Sequence, residues 1–217
     1  MMIPLDDPRV AAVTVHETYQ PLVTLGASFG PGRARVRAGV AERLRRAQLA
    51  LPVGMSLRVV EGHRSAASQA SIIADYSAEV QARHPDLDAE RRDRLVGRHV
   101  APLAVAPHVV GAAVDVTLVD LRGVELDLGT PVGATPEDSR CFFAATDISR
   151  TAREHRRILA EALGSVGLVN YPAQWWHWSY GDRYWALLTG APAALYGPIT
   201  DLDEPAPRRR SWWRAAA

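Results

Sequence analysis

The chain has 217 residues and a mass of 23.6 kDa, with 47% hydrophobic and 23% charged residues, which suits one domain with a sizeable core and excludes a fibrous or wholly disordered chain. Its 25 basic and 24 acidic residues leave a net charge of +1, so no global field recruits nucleic acid. No run approaches the roughly 18 apolar residues of a membrane span. The opening MMIPLDDPRVAAVTV carries acidic residues where a secretory signal wants basic ones, and the expected location is cytoplasmic. All 25 basic residues are arginine, which we read as coding bias. Cys141 is the sole cysteine, so a metal site must be built from histidine and carboxylate.

Val36, Val40, Leu44, Ala47 and Leu51 recur at helical spacing, and Pro52 and Gly54 end that helix. Met55, Leu57 and Val59 alternate as in a half-buried strand. Ser65 is expected to cap a helix to about Arg83, with Ile72, Ile73, Tyr76 and Val80 inward. Asp86 is expected to cap another, to about His99. Residues 111–119 read as a buried strand. Asp147–Leu163 reads as a helix whose buried face holds Ile148, Ala152, His155, Leu159 and Leu163. Leu168–Tyr180, rich in aromatic and β-branched residues, reads as paired strands. Helices and strands mix without strict alternation, so the expected class is α+β, a single domain over residues 1–200 built on a mainly antiparallel sheet. The stretch 201–217, PAPRRRSWWRAAA at its end, is expected to be a solvated tail.

Three segments hold groups that a core does not normally want. Glu61-Gly-His-Arg64 ends a predicted strand, His108 and Asp115 flank the start of the buried one, and Gln174 and His177 lie among tryptophans. An unpaired carboxylate inside the apolar run around Asp115 would cost several kcal/mol or neutralise itself. A cation removes that cost, and two imidazoles with one carboxylate form a three-ligand set that leaves a position open for water or substrate. In a regular strand, residues three apart face opposite ways. Gln174 and His177 can therefore face one metal only if the chain bends between Pro172 and His177.

These segments resemble the zinc D-alanyl-D-alanine dipeptidases, relatives of the peptidoglycan D,D-carboxypeptidases. The middle motif of that family, S-x-H-x-x-G-x-A-x-D, is matched by Ala106 to Asp115. Its last motif, close to E-x-W-H-x-S-Y-G-D, is matched by Gln174 to Asp182, and its upstream arginine by Arg64. The resemblance implies His108, Asp115 and His177 as zinc ligands and Arg64 as the group that takes negative charge on the attacked carbonyl oxygen. It also implies a small-molecule substrate, with no nucleic acid or membrane involved; oligomeric state is left open. His63 and Trp176 are further expected to line the substrate site.

The chain departs from the pattern where chemistry is decided. Position 174 is glutamine where the family has the glutamate that moves the proton, and an amide takes no proton near neutral pH. Ala106 stands in place of the substrate-holding serine. Gly133 and Ala134 stand where an acidic residue would bind the dipeptide ammonium, with Glu137 or Asp138 as possible replacements. Three readings follow. One is a repurposed zinc enzyme that performs elimination, addition or cyclisation on a carbonyl compound, with Gln174 orienting it. The second is a dipeptidase whose Gln174 is engineered or compensated by Glu61. The third is a metal-containing binding module without turnover.

Overall fold

The computed structural model describes residues 2–134 and 138–199; the predicted 201–217 tail and Glu137 lie outside the described residues. In chain order the elements are α1 (Pro8–Ala12), β1 (Leu22–Thr24), β2 (Arg35–Arg37), α2 (Ala38–Ala50), β3 (Ser56–Glu61), α3 (Ala66–Arg83), α4 (Ala89–Gly97), β4 (Ala113–Val119), α5 (Arg150–Gly164), β5 (Val169–Asn170), β6 (His177–Ser179) and α6 (Arg183–Thr189). The strands β3-β4-β6-β5, in that spatial order, make an antiparallel sheet, and β1 and β2 form a separate antiparallel pair. The class is α+β, as expected.

The central strand β4 is buried on both faces, and alternation divides its work. Val114, Val116 and Leu118 enter the main core with Val40, Ala41, Leu44 and Ala47 of α2 and with Leu159, Ala162 and Leu163 of α5. Asp115, one residue out of phase, belongs to the opposite face. There a second apolar cluster contains Leu5, Val10, Ala101, Val105, Ala106, Val109, Tyr171, Ala173 and Tyr184. A polar centre can thus form beneath the sheet without interrupting the core above it.

Local details differ from the sequence expectations for identifiable reasons. Val36 lies in β2, paired with Val23, so the first long helix starts only at Ala38. Asp88 accepts from the Arg91 amide and caps α4, two residues beyond the expected Asp86. The helix expected from Asp147 starts at Arg150 because the Ser149 hydroxyl accepts from the Ala152 amide. On that helix the buried polar residue is Arg156, and His155 is only half-buried. The Arg156 guanidinium donates to the carbonyls of Leu128, Phe142, Phe143 and Arg140, tying the 128–143 loop to α5. Burial lowers its pKa to about 10, still protonated at neutral pH.

Candidate metal centre

Sheet register assembles the site. Asp115 on β4 lies opposite His177 on β6, and on its other side opposite Glu61 at the end of β3. Directly opposed residues share a face, so one row across three strands carries two candidate ligands and the partner of Arg64. A register shift between Val59 and Glu61 bends the end of β3 at this point. The chain then leaves the sheet through Gly62, where a Cβ would lie 2.4 Å from the Arg35 carbonyl oxygen, so only glycine fits.

His108 reaches the same place from a turn. Its own carbonyl accepts from the Gly111 amide, and Gly111, at φ +67°, turns the chain into β4. The imidazole Nδ1 lies 2.7 Å from the Gly62 carbonyl oxygen, which can only accept. That contact puts the ring proton on Nδ1 and leaves Nε2 as a lone-pair donor. Nε2 is 3.2 Å from His177 Nδ1 and 3.4 Å from Asp115 Oδ1, and the latter two atoms are 3.1 Å apart.

These three separations test the fit of an ion. Ligands held tetrahedrally at about 2.0–2.1 Å from zinc lie roughly 3.3 Å from one another. The observed triangle already has nearly that size, and all three side chains are buried. In the absence of metal, burial works against charge on His108, but the Asp115 carboxylate more than offsets it and raises the His108 pKa. Burial likewise opposes ionisation of Asp115, and the two imidazoles outweigh it, holding that carboxyl far below its ordinary range. The donor set therefore fits a divalent cation.

The bend expected between Pro172 and His177 is present. Gln174 donates its amide to the Tyr171 carbonyl, His177 donates to that of Gln174, and Tyr171 closes the loop by donating to the His177 carbonyl. Asn170, which sequence reasoning missed, pins this loop: its side-chain amide reaches the carbonyls of Gln174, Trp175 and His177 at 3.1, 3.3 and 2.9 Å. A short polar residue amid aromatics was the available signal. Asn170→Ala is expected to lower stability by about 1–3 kcal/mol, read from denaturant midpoints, because the buried carbonyls lose their donor.

Arg64 and Gln174 complete the cavity. The Arg64 guanidinium makes bonds of 2.7 and 2.5 Å to the two Glu61 oxygens and one of 2.7 Å to Gln69 Oε1. Gln69 in turn donates to the Ala101 carbonyl. It was also missed, although it lies one turn before the predicted inward residues of α3. Burial opposes the Arg64 charge, and Glu61, with a smaller contribution from Asp115, outweighs it and raises the pKa. Gln174 Nε2 donates to the His99 carbonyl at 3.1 Å.

Arg64, His108, Asp115, Gln174 and His177 thus line one cavity of about 30 Å³, together with Leu5, Gln69, His99 and Ala106 among others. The other two sequence candidates do not line it. Trp176 is buried in the main core, edge-on to Trp175, and its carbonyl accepts from the Val116 amide. His63 is half-buried, and its backbone amide donates to the Arg35 carbonyl. Asp138, a suggested ammonium partner, accepts from Arg140 and lies outside the cavity lining.

Gly62→Ala offers a test of the support behind His108. The added methyl meets the Arg35 carbonyl and pushes the Gly62 backbone aside, and with it the carbonyl that fixes the ring, so metal affinity should fall about 10–100-fold while far-UV circular dichroism holds. Competition with a metal-binding dye measures it.

An antiparallel sheet thus carries a buried His–Asp–His set that could hold a metal ion. The chain matches the D-ala-D-ala dipeptidase family over residues 35–189, well over half its length, and belongs to that family. A D-alanyl-D-alanine dipeptidase of Synechocystis sp. is 27% identical over 191 residues, covering 76% of this chain and 77% of the relative. Two solved structures share the fold. One is a glutamate-to-alanine mutant of the vancomycin-resistance D,D-pentapeptidase VanY in complex with Zn(II), at TM-score 0.50 and 18% identity over 79% of this chain and 87% of that one. The other is VanYB in complex with D-alanine-D-alanine, at TM-score 0.51 and 19% identity over 80% and 87%. Among the described residues, no helix is long and apolar enough to cross a membrane.

Proposed function

We propose that this chain is a zinc enzyme of the D-Ala-D-Ala dipeptidase family that has left peptide hydrolysis for elimination, addition or cyclisation on a small carbonyl compound. The observation that carries this is the cavity's acid–base inventory. Asp115, a proposed ligand, is the one carboxylate lining it among the described residues, and position 174 supplies an amide. Glu61, the sequence's other candidate base, is held by two bonds to Arg64.

His108 Nε2, Asp115 and His177 Nδ1 would hold the zinc, which when bound supplies Lewis acidity toward a carbonyl oxygen. Arg64, fixed by Glu61 and Gln69, places a permanent cation beside the position where negative charge develops on an enolate or departing oxygen. Gln174 uses Nε2 on the His99 carbonyl, so its Oε1 remains to accept from a substrate N–H or O–H. That bond orients a substrate without removing its proton. Zinc-loaded protein is expected to bind one zinc per chain and to leave D-Ala-D-Ala intact, with released D-alanine as the readout. Turnover of the dipeptide at rates ordinary for an enzyme would overturn the proposal and restore the dipeptidase reading.

A further inference from the structure

The cavity at the metal centre is too small for the substrate that the proposed function requires. Its volume of about 30 Å³ accommodates an ion or a water or two, whereas small-molecule sites run to about 300 Å³ or more. A lining residue that moves aside would enlarge it.

Most of that lining comes from inside the stretch matched by the family. Leu5 does not: it belongs to residues 2–7, well before residue 35. Within 2–7 every other residue is at least partly exposed, and Leu5 alone is buried, at 3% exposure. Leu5 is a member of the second apolar cluster, on which the half-buried Met2 and Ile3 also pack, and it alone of this segment lines the cavity as a plug. Its attachments are few in kind. The Tyr184 hydroxyl donates to the Ile3 carbonyl at 3.1 Å, and a backbone hydrogen bond from Leu5 reaches the Tyr171 phenol. Asp6 packs against Gly97 of α4 so closely that a Cβ there would lie 2.5 Å from its carboxylate. Beyond the plug, Asp7 caps the single-turn-scale helix α1, and Arg183 of α6 holds the Ala11 and Val13 carbonyls. Residues 8–13 are thus anchored independently of Leu5.

We infer that residues 2–7 are a strap that closes the metal pocket through Leu5 and swings out, hinged at the anchored α1, to admit substrate. The inference rests on the proposed function only in taking this cavity as the substrate site. An anchored hinge, one side chain of the segment in the cavity lining and a pocket a tenth of the size needed are its three supports. Withdrawing Leu5 with the half-buried Met2 and Ile3 is a local opening, of the kind small surface segments undergo without global unfolding.

The test needs no metal. Full-length metal-free protein is treated with diethyl pyrocarbonate, and modification of each histidine is followed by peptide mass spectrometry. Leu5→Ala should speed modification of His108 and His177 at least tenfold, with exposed His16 and His84 unchanged. Tyr184→Phe, which removes only the hydroxyl on Ile3, should move the same two histidines about threefold and guards against a folding defect in the first variant. Hydrogen exchange of the β4 amides, unchanged in Tyr184→Phe, separates strap opening from general loosening. Equal His108 and His177 rates in the parent and Tyr184→Phe proteins would overturn the strap. Zinc stoichiometry, measured separately, reports on the proposed function and leaves this outcome untouched.

Discussion

Gln174→Glu is expected to raise D-Ala-D-Ala hydrolysis by about 10²–10⁴, the usual contribution of a positioned general acid–base group. The scaffold for that gain is in place. The turn from Tyr171 to His177 brings position 174 to the cavity, and it rests on main-chain and Asn170 hydrogen bonds. Exchanging amide for carboxylate alters one atom, with the loss of the Nε2 bond to the His99 carbonyl as its cost. Two carboxylate oxygens beside a carbonyl oxygen leave no donor for the latter, so the glutamate should rotate away from His99 and toward the position that a bound ion would occupy. The assay is D-alanine release by zinc-loaded parent and variant at matched zinc content. If the variant is as inactive as the parent, the loss of dipeptide chemistry extends beyond position 174, to Ala106 and to the missing ammonium partner.

The second large effect concerns Asp115. Asp115→Asn should abolish stoichiometric zinc binding at micromolar metal, because the site loses its only anionic ligand and retains two neutral imidazoles. The metal-free protein gives an independent sign. Burial depresses the His108 pKa and Asp115 raises it, with the net shift upward from 6.5. With the carboxylate gone, burial and the Arg64 charge lower the pKa and only the smaller Glu61 contribution raises it, so the His108 pKa should fall below 6.5. Histidine NMR titration reads this directly. Protonated His108 therefore stabilises the parent fold at low pH, and that contribution disappears as pH rises through the raised value; in the variant the imidazole opposes folding as pH drops below 6.5. A His108 pKa left unchanged by Asp115→Asn would contradict the pairing.

Much of this architecture was legible in the chain. A carboxylate inside an apolar run pointed to Asp115, and the motif resemblance joined it to His108 and His177, whose nitrogens indeed meet it within 3.4 Å. The antiparallel sheet followed from alternation at 55–59 and from the dense apolar run of β4. Residues whose role is set by a distant carbonyl were not legible. Asn170, Gln69 and Arg156 satisfy backbone groups far from them in sequence or across a tight turn, and no periodicity encodes that. Trp176 was placed by sequence neighbourhood beside His177, whereas strand alternation sends it to the opposite face. Leu5 is silent in any pattern because its burial depends on a cavity assembled by residues 59 or more positions away.

The pinned turn before β6 has a consequence for how such proteins diversify. The Asn170 amide and the turn's own main chain hold its loop together, while the side chain at 174 adds one bond outward, to the His99 carbonyl. A lineage can therefore exchange that side chain in a single step without touching the three residues that would hold an ion. In this scaffold the residues that would hold an ion and the residue that would move a proton are separable.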